Sequence, residues 1–280
     1  MKGSSAQVSS DFKHDIVFSD LNYAIDGKSL LEDVSGRFEG GRVHSILGQN
    51  GAGKSSLLRC LTKEWHPISG DIRFNGQTLQ DQSYRELALK RSVLPQNQEL
   101  AFSFQVEQLV MLGFDAQGLA LNECATQLDD VLEACDIRHL AQRDYLTLSG
   151  GEQKRAQLAR VLAQIWPQNS LADDAFTGKW LFLDEWSDGL DLKHQVCLGQ
   201  LLRQWSRQGL GVVMILHDLN QIMQWADQCL LLKAGQVHSQ GDVSTVMTPA
   251  NIEAVLGVKV GIWQPQGSAV PMLFPLQGQR

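Results

Sequence analysis

The chain has few cysteines and no long apolar run, and both shortages limit the classes of protein that it can be. Its five cysteines include no close pair and are Cys60, Cys124, Cys135, Cys197 and Cys229. Such a set favours reduced thiols in the cytosol over the two alternatives, a disulfide framework or a zinc site. No apolar stretch approaches the roughly 20 residues that span a bilayer, and residues 1–15 lack the apolar core of a secretory signal. The sequence therefore predicts a protein that is soluble by itself.

An excess of positive charge is also missing. Lysine and arginine number 24 against 31 aspartates and glutamates, which gives a net charge of −7, and the basic residues form no stripe. This balance does not favour nucleic acid as the main partner. The chain is 280 residues long and 43 % hydrophobic, so it can bury a core as one large domain or two small ones.

Glycine, by contrast, is concentrated where it can bind phosphate. The eight residues that fit the P-loop pattern G-x-x-x-x-G-K-[ST] are Gly48, Gln49, Asn50, Gly51, Ala52, Gly53, Lys54 and Ser55. A predicted buried strand, 43–47, precedes them, and a predicted helix begins near Lys54. That context lets backbone N–H groups close around phosphate oxygens at the helix N-terminus. A fortuitous glycine-rich turn is the alternative, but a chance match in a chain of this length is on the order of 1 %.

Side chains in and after this loop predict specific contacts. Lys54 supplies a positive charge to the β- and γ-phosphates of a nucleotide, and Ser55 supplies a hydroxyl to Mg²⁺. Farther along, the apolar strand 181–183 ends in Asp184 and Glu185. An acid at the carboxyl end of a parallel strand beside the P-loop can hold Mg²⁺ through water, which is the role that we give to Asp184. Glu185 is then the candidate general base, and a plain surface pair of acids is the alternative.

The order of the predicted elements indicates an α/β fold. Strands and helices alternate over 180–233, which implies a parallel sheet. Apolar residues recur at helical spacing over 104–165 with few strand signals. A run of helices inserted in an α/β chain suggests a separate helical subdomain. The tail 257–280 has only weak signals.

The hexapeptide 148–153, Leu-Ser-Gly-Gly-Glu-Gln, predicts a second anion-binding helix terminus. Ser149 is a good N-cap, and Gly150 and Gly151 expose N–H groups at the start of a predicted helix. Taken alone, the segment could be only a capped helix. It also matches, without a mismatch, the signature of ATP-binding-cassette (ABC) ATPases, and the chain resembles that family over nearly its whole length.

Other family marks follow in the expected order. Gln96 resembles the glutamine that senses Mg²⁺, and His217 resembles the switch histidine that contacts the γ-phosphate. The segment 188–191 resembles the one that crosses the dimer interface. Tyr23 resembles the aromatic residue that stacks on adenine, although plain packing of a strand tyrosine is the alternative.

The resemblance thus implies three sets of site residues. The catalytic candidates are Glu185, His217 and Gln96. The candidates for contact with Mg²⁺ are Ser55, Gln96 and Asp184. The candidates for nucleotide contact are Tyr23, Gly48, Gln49, Asn50, Gly51, Ala52, Gly53, Lys54, Ser55, Ser56 and, in the signature, Ser149, Gly150, Gly151 and Gln153.

The resemblance also implies an architecture: a P-loop NTPase with a RecA-like parallel-sheet core, an antiparallel β subdomain and an inserted helical subdomain. The whole chain, 1–280, is predicted to be a single ABC transporter ATP-binding domain. Its predicted parts are a nucleotide-binding core with the β subdomain (16–97 and 166–250), a helical signature subdomain (98–165) and a C-terminal extension (251–280).

The closer resemblance is to the ATP-binding subunits of bacterial importers for metal chelates. Residues 140–145 and 155–164 look most like those of haem (hemin) importer ATPases. A ferric-siderophore or cobalamin importer is the alternative, and a non-transport ABC ATPase is a further one. The latter usually has a long coiled coil or two cassettes, whereas this chain has one P-loop and a short insert. A small-molecule P-loop kinase gives no reason for the segment 148–153.

This resemblance implies ATP and Mg²⁺ as cofactors and a peripheral position at the cytoplasmic face of the bacterial inner membrane. The implied partners are a second copy of the chain in a head-to-tail homodimer, two transmembrane permease subunits and, indirectly, a periplasmic haem-binding protein. Residues 101–106 offer an apolar surface that either docks a permease helix or belongs to the subdomain core.

One departure from the family pattern follows the candidate base. Trp186 and Ser187 stand where the family usually has Pro-Thr. A proline there restricts the backbone and helps to aim the glutamate. We therefore expect Glu185 to be less well aimed, with the Trp186 ring beside the nucleotide site or the dimer seam, unless the ring packs against the subdomain and holds the same geometry.

Overall fold

The computed structural model of the chain describes residues 13–96, 100, 102–119, 124–168 and 172–276. Its strands are β1 (Ile16–Ile25), β2 (Lys28–Phe38), β3 (Val43–Leu47), β4 (Ser69–Phe74), β5 (Gln77–Thr78), β6 (Arg91–Leu94), β7 (Trp180–Asp184), β8 (Gly211–Ile215), β9 (Gln228–Lys233), β10 (Gln236–Asp242), β11 (Val260–Trp263) and β12 (Met272–Pro275). Its helices are α1 (Lys54–Leu61), α2 (Tyr84–Ala88), α3 (Val106–Asp115), α4 (Ala125–Ala134), α5 (Gly150–Ile165), α6 (Leu192–Arg207), α7 (Leu219–Trp225), α8 (Val243–Val246) and α9 (Pro249–Leu256). The α/β class expected from the sequence is confirmed.

A six-stranded sheet forms the centre of the fold, in the order β10-β9-β3-β8-β7-β6. The five strands from β9 to β6 are parallel, and β10 adds an antiparallel strand at one edge. Every residue of β3, β7 and β8 is buried, as expected of parallel strands covered on both faces. Because β3, β8, β7 and β6 are neighbours, the four loops that follow them begin at one edge of the sheet.

The second sheet is antiparallel, in the order β2-β1-β4-β5. The tight turn after β4 joins it to the central sheet. Asn75 and Gly76 in this turn both have positive φ, 51° and 76°, as the sequence Asn-Gly predicts. The Asn75 side-chain amide donates to the Gly178 carbonyl at 2.7 Å, and its oxygen accepts from the Trp180 indole at 3.0 Å. One side chain thus connects the turn to the start of β7.

Alternate residues of the central strands enter two hydrophobic clusters. Ile46 and Val213 pack with the antiparallel sheet and α1 in one cluster. Val212 and Met214, which point to the other face, pack with the helices in the second cluster. The central sheet is therefore the shared wall of two cores.

The helical insert is fixed to the sheet mainly by α5. Helix α5 packs along α3 and also contacts α4 and β6. Gly113 permits the close approach of α3, because a Cβ there would lie 2.2 Å from the Arg160 carbonyl oxygen. The expected run of helices is present in this part of the chain.

Two features of the fold had no clear signal in the sequence. One is the edge strand β10. The other is the hairpin of β11 and β12, which is held to α7 by Asn220: its amide nitrogen donates to the Leu273 carbonyl at 3.1 Å, and its oxygen accepts from the Leu273 N–H at 2.8 Å. Among the described residues, no helix combines the length and the apolar character needed to cross a membrane.

Candidate functional site

The loop from Gly48 to Gly53 connects β3 to α1, and its glycines are needed for packing. A Cβ on Gly48 would lie 2.3 Å from the Leu232 carbonyl oxygen, and one on Gly53 would lie 2.5 Å from the Leu30 carbonyl oxygen. Gly53 also has φ +98°, which side chains rarely adopt. The pattern glycines therefore let the loop lie directly against two neighbouring backbones.

Lys54 places a buried ammonium inside the curve of this loop. Its Nζ donates to the carbonyls of Gly48 at 3.0 Å and Gln49 at 3.1 Å. Burial lowers the pKa of Lys54, and the charges of Glu185 and Asp184 oppose that shift. The lysine thus holds a positive charge at the loop, where a phosphate can replace the two carbonyls as its partner.

Asp184 lies at the carboxyl end of β7 and is only 6 % exposed. Burial raises the pKa of this carboxyl group, a hydrogen bond with Ser55 lowers it, and the charge of Glu185 raises it further. The Asp184 Oδ1 atom is buried without a hydrogen-bond partner. An orphaned carboxylate oxygen beside the Ser55 hydroxyl is a donor set that suits Mg²⁺, which prefers oxygen ligands and keeps several waters.

Ser55 and Asp184 suit a metal ion that is held together with a nucleotide rather than by protein alone. Within the described ranges, no three His, Cys, Asp or Glu side chains converge in a way that could hold a metal ion. A hard cation here would therefore need phosphate oxygens or water to complete its ligands.

Glu185 is the most constrained residue at this edge of the sheet. Its φ is +53°, in the left-handed region that non-glycine residues rarely adopt. The carboxylate contacts His217 Nε2 at 2.6 Å and accepts a hydrogen bond from the Gln96 amide. The backbone carbonyl of Glu185 accepts from Lys154 Nζ at 2.9 Å. Side chains from three other parts of the chain thus fix both ends of this residue.

The predicted residues meet around a cavity of about 540 Å³. Its lining is made of Leu30, Asn50, Gly51, Gly53, Lys54, Ser55, Ser56, Gln96, Glu185 and His217. The P-loop, Gln96, the candidate base and the candidate switch histidine are therefore brought together. Leu30 is a lining residue that sequence reasoning missed, because its place in β2 carries no motif.

Other predicted contacts lie outside this lining. Ala52 is buried, and the Gln49 side chain donates to the Leu256 carbonyl at 3.1 Å, which connects the loop to the end of α9. The Tyr23 ring stacks on Trp65, with the ring centroids 4.9 Å apart and the planes 16° from parallel. Packing thus occupies one face of Tyr23, and its contact with adenine stays a prediction.

The signature segment lies at the N-terminus of α5 and is not part of the cavity lining. Ser149 and Glu152 form a reciprocal capping box: the Ser149 Oγ accepts from the Glu152 N–H, and the Glu152 carboxylate accepts from the Ser149 N–H at 2.8 Å. A Cβ on Gly150 would meet nothing within 4 Å. The Gln153 amide donates to the Tyr145 carbonyl at 3.2 Å. Within one chain, the capping box of this helix is complete, but the space beside Gly150 is open.

The structure shows where Trp186 and Ser187 lie, the two residues that stand in place of the usual Pro-Thr. Trp186 is 1 % exposed and belongs to the hydrophobic core, so the expectation that its ring lies beside the nucleotide cavity is wrong. The ring packs instead, which is the other arrangement that the sequence allowed. Glu185 is held firmly rather than loosely, since His217, Gln96 and Lys154 all contact it. Lys154 was not foreseen, because no motif marks a lysine that binds a distant carbonyl.

Residues 101–106, before α3, were expected either to dock a permease helix or to belong to the subdomain core. Different residues of this stretch are suited to each of the two uses. Ala101 lies outside the described residues. Phe102 is 74 % exposed, whereas Val106 is fully buried in the core. Phe102 is thus the member of the stretch that is available to another protein.

Comparisons with known proteins show what the chain is similar to. The model of the family described as "ABC transporter" matches residues 31–177. The "Hemin import ATP-binding protein HmuV" of Rhizobium meliloti is 37 % identical over 257 residues, which are 92 % of this chain and 97 % of that protein. The protein of the same name from Gloeobacter violaceus is 40 % identical over 260 residues, 91 % of this chain and 92 % of that one. The structure of cbiO1 from Clostridium perfringens, part of the ABC transporter complex cbiONQ, has a TM-score of 0.70 at 27 % identity and covers 88 % of this chain and 96 % of that one.

Proposed function

The chain belongs to the family of ABC transporter ATP-binding proteins, and from that premise we propose that it hydrolyses ATP to drive the import of haem (hemin) through a bacterial inner membrane. One observation carries the enzymatic part: Lys54, the adjacent pair Asp184 and Glu185, and His217 come from three separate places in the sequence and meet around the P-loop. The choice of haem is supported by relatives that are 37–40 % identical over nine-tenths of the chain and are named as hemin import proteins.

In this proposal, the P-loop holds the phosphates of ATP. Backbone N–H groups from Gly51 to Ser55 surround the β-phosphate, and Lys54 exchanges its two carbonyl partners for phosphate oxygens. Ser55, Asp184 and Gln96 would hold Mg²⁺, which neutralises charge on the β- and γ-phosphates when it is bound.

Glu185 then activates the attacking water. Its carboxylate takes a proton from the water as the water oxygen bonds to the γ-phosphorus, and the bond between that phosphorus and the β,γ-bridging oxygen breaks. His217 and Gln96 already contact this carboxylate, so they fix its direction before water arrives. With Nε2 protonated, His217 would donate to the γ-phosphate by turning this one N–H away from Glu185, toward the place where charge develops.

A second copy of the chain completes the site. Of the signature residues, Ser149 and Gly150 are exposed and Gly151 is partly exposed, and all three are absent from the cavity lining of their own chain. Their helix N-terminus suits the γ-phosphate of a nucleotide held by another copy. ATP would then join two copies head to tail, and hydrolysis would remove the contact that joins them.

The transport partners follow from the proposed role. The described residues contain no helix suited to crossing a membrane, so two permease subunits would form the path for the chelate. A periplasmic haem-binding protein would act on this chain only through them. Phe102 offers an exposed apolar side chain beside the helical insert for docking at the inner face of the membrane.

The test is a reconstitution of the chain with the permease pair that co-purifies with it. We expect hemin and its binding protein together to raise ATP hydrolysis, and Glu185→Gln to abolish hydrolysis while ATP binding remains. Stimulation by a ferric siderophore or cobalamin but not by hemin would overturn the choice of chelate. Co-purification with nucleic acid or ribosomes in place of a membrane protein would overturn the transport role.

A further inference from the structure

Three polar side chains close a network behind the catalytic edge of the sheet. The Ser187 hydroxyl donates to Gln221 Oε1 at 2.9 Å, and Gln221 Nε2 donates to Gln195 Oε1 at 3.2 Å. Gln195 Nε2 donates to two backbone carbonyls, those of Ser187 at 3.0 Å and Leu190 at 2.9 Å, and so closes the ring. We call Ser187, Gln195 and Gln221 the triad network.

The network joins three segments, which also contact one another through the Glu185–His217 hydrogen bond and through Arg203 of α6, whose guanidinium donates to the Gln224 carbonyl of α7 at 3.0 Å. Ser187 follows Glu185 by two residues. Gln221 lies in the first turn of α7, four residues after His217. Gln195 lies in α6 and holds the segment 188–191, which precedes that helix. Gln221 is the member whose amide hydrogen-bonds with the side chains of both others, whereas Gln195 reaches Ser187 through its backbone carbonyl.

Each side chain in this network is hydrogen-bonded. Gln221 accepts with its oxygen and donates with its nitrogen, so only one of the two amide orientations suits both neighbours. Ser187 is buried, and a buried polar group that loses its hydrogen-bond partner destabilises the fold. The network therefore favours one arrangement of the three segments strongly over others.

That arrangement is needed because of Glu185. A residue that has a side chain and a positive φ is strained, and this conformation persists only where the surroundings fix it. The family's usual proline is missing at the next position. On one side, Trp186 is anchored by burial. On the other, Ser187 is anchored by the triad network, which takes over the restraint that a proline ring would give.

We propose that Gln221 is a positioning residue for ATP hydrolysis, which sets the Glu185 carboxylate and the His217 imidazole at hydrogen-bonding distance by tying both of their segments to one amide. Gln221 is not in the cavity lining, so it acts through Ser187 and α7 rather than on the nucleotide. The inference rests on the proposed ATPase function.

The main test is Gln221→Leu in the complex with the permease. A misplacement near 1 Å at the reacting atoms lowers a rate by about 100-fold, so we expect kcat to fall about 10- to 100-fold. The KM for ATP and the affinity for a non-hydrolysable ATP analogue should stay within about twofold, because the P-loop does not touch the network. The matched control is Gln224→Leu, which changes an exposed glutamine one turn along the same helix and should leave kcat unchanged.

Position 187 gives a second, independent readout. Ser187→Ala removes the hydroxyl and should lower kcat, whereas Ser187→Thr keeps it and should restore most of the rate. The double variant Ser187→Ala with Gln221→Leu should be little worse than Gln221→Leu alone, because both changes break one network. If Gln221→Leu does not fold, the comparison of Ala with Thr at position 187 decides.

Two results would overturn the inference. One is a normal kcat in a folded Gln221→Leu protein or in Ser187→Ala. The other is a loss that appears only in KM or only in thermal stability, which would indicate a structural role alone. A wild-type complex without ATP hydrolysis would instead refute the proposed function, so the two failures are distinguishable.

Discussion

The P-loop and the signature segment each present a helix N-terminus, which favours anions. They differ in how much of their surroundings the same chain supplies. At the P-loop, Lys54 already has two partners and the loop rests on backbone from β2 and β9. At the signature, Ser149 is satisfied by its own helix, and Gly150 has nothing within 4 Å of the position of a Cβ. One region is enclosed by its own chain, and the other is open.

The difference indicates which region can work alone. The enclosed region holds the P-loop and Lys54, which the proposed function assigns to the phosphates of ATP, so we expect one chain to bind ATP. The open region adds donors only when another surface supplies a nucleotide. Substitutions at the P-loop should therefore act on the isolated chain, and those at the signature should act only on the assembly.

The largest effect should come from Lys54→Ala, which removes the cation from the enclosed region. We expect ATP hydrolysis to fall by about 100-fold or more, because charge on the phosphates loses its main partner. Lys63→Ala is the matched control: Lys63 is also buried and donates to two carbonyls, those of Gln80 and Gln82, but it lies outside the cavity lining. Turnover per folded molecule should survive in Lys63→Ala. Near-normal hydrolysis by folded Lys54→Ala would contradict the P-loop assignment.

The same substitution made in both regions gives the sharpest contrast. A Cβ in Gly48→Ala would clash with the Leu232 carbonyl oxygen, and we expect a loss of about 1–3 kcal/mol in stability together with weaker nucleotide binding by the single chain. Gly150→Ala should change neither property, but it should lower hydrolysis by the assembled transporter about tenfold. Thermal unfolding, binding of an ATP analogue and turnover should be measured for both. Equal effects of the two variants on the isolated chain would break the comparison.

The enclosed region should also be sensitive to acid. His44 lies in β3 below the P-loop, and burial lowers its pKa from 6.5 to about 4. The unfolded chain takes up this proton near pH 6.5, but the folded chain does so only near pH 4. Stability from this group is therefore complete above pH 6.5 and is lost as the pH falls toward 4, by about 3 kcal/mol in all.

Urea unfolding at pH 7 and pH 5 measures that loss. His44→Leu should flatten the pH dependence, while His66→Leu, at an exposed position, should leave it as in the wild type. A wild-type protein whose stability does not change between these pH values would contradict the role of His44.

The smallest effect concerns the caps. Ser149→Ala and Ser83→Ala each remove the N-cap of a capping box, in α5 and α2, and each should cost about 1 kcal/mol of stability. Only Ser149→Ala should also lower hydrolysis in the complex, because Ser83 has no part in the open region. If both variants alter turnover alike, Ser149 acts as a cap and nothing more.

Much of the enclosed region could be predicted because its signals are local. The glycines of the P-loop and the acids after β7 are adjacent in sequence to the elements that place them. Gln96 and His217 have no such local signal and were found through family resemblance. The sequence could not predict three features of the site: the contact of Lys154 with Glu185, the place of Leu30 in the cavity lining, and the packing of Trp186. Each of them depends on which segments, distant in sequence, come together in the fold.

The C-terminal hairpin was missed for a related reason. Strands β11 and β12 are only four residues each and expose Trp263 and Phe274, so their pattern lacks the clean alternation of a half-buried strand. What fixes the hairpin is the pairing of Asn220 with Leu273, a contact between segments far apart in the chain.

The position of β3 has a consequence for synthesis of the protein. This strand pairs only with β8 and β9, so the P-loop emerges from the ribosome long before its neighbours exist. At about 5–20 residues per second, the wait for the roughly 160 residues up to β8 lasts on the order of ten seconds. During that interval the loop lacks the β9 backbone on which Gly48 rests, and nucleotide cannot assist the earliest folding steps. The ability to bind ATP should therefore appear late and all at once, when the last third of the chain is released.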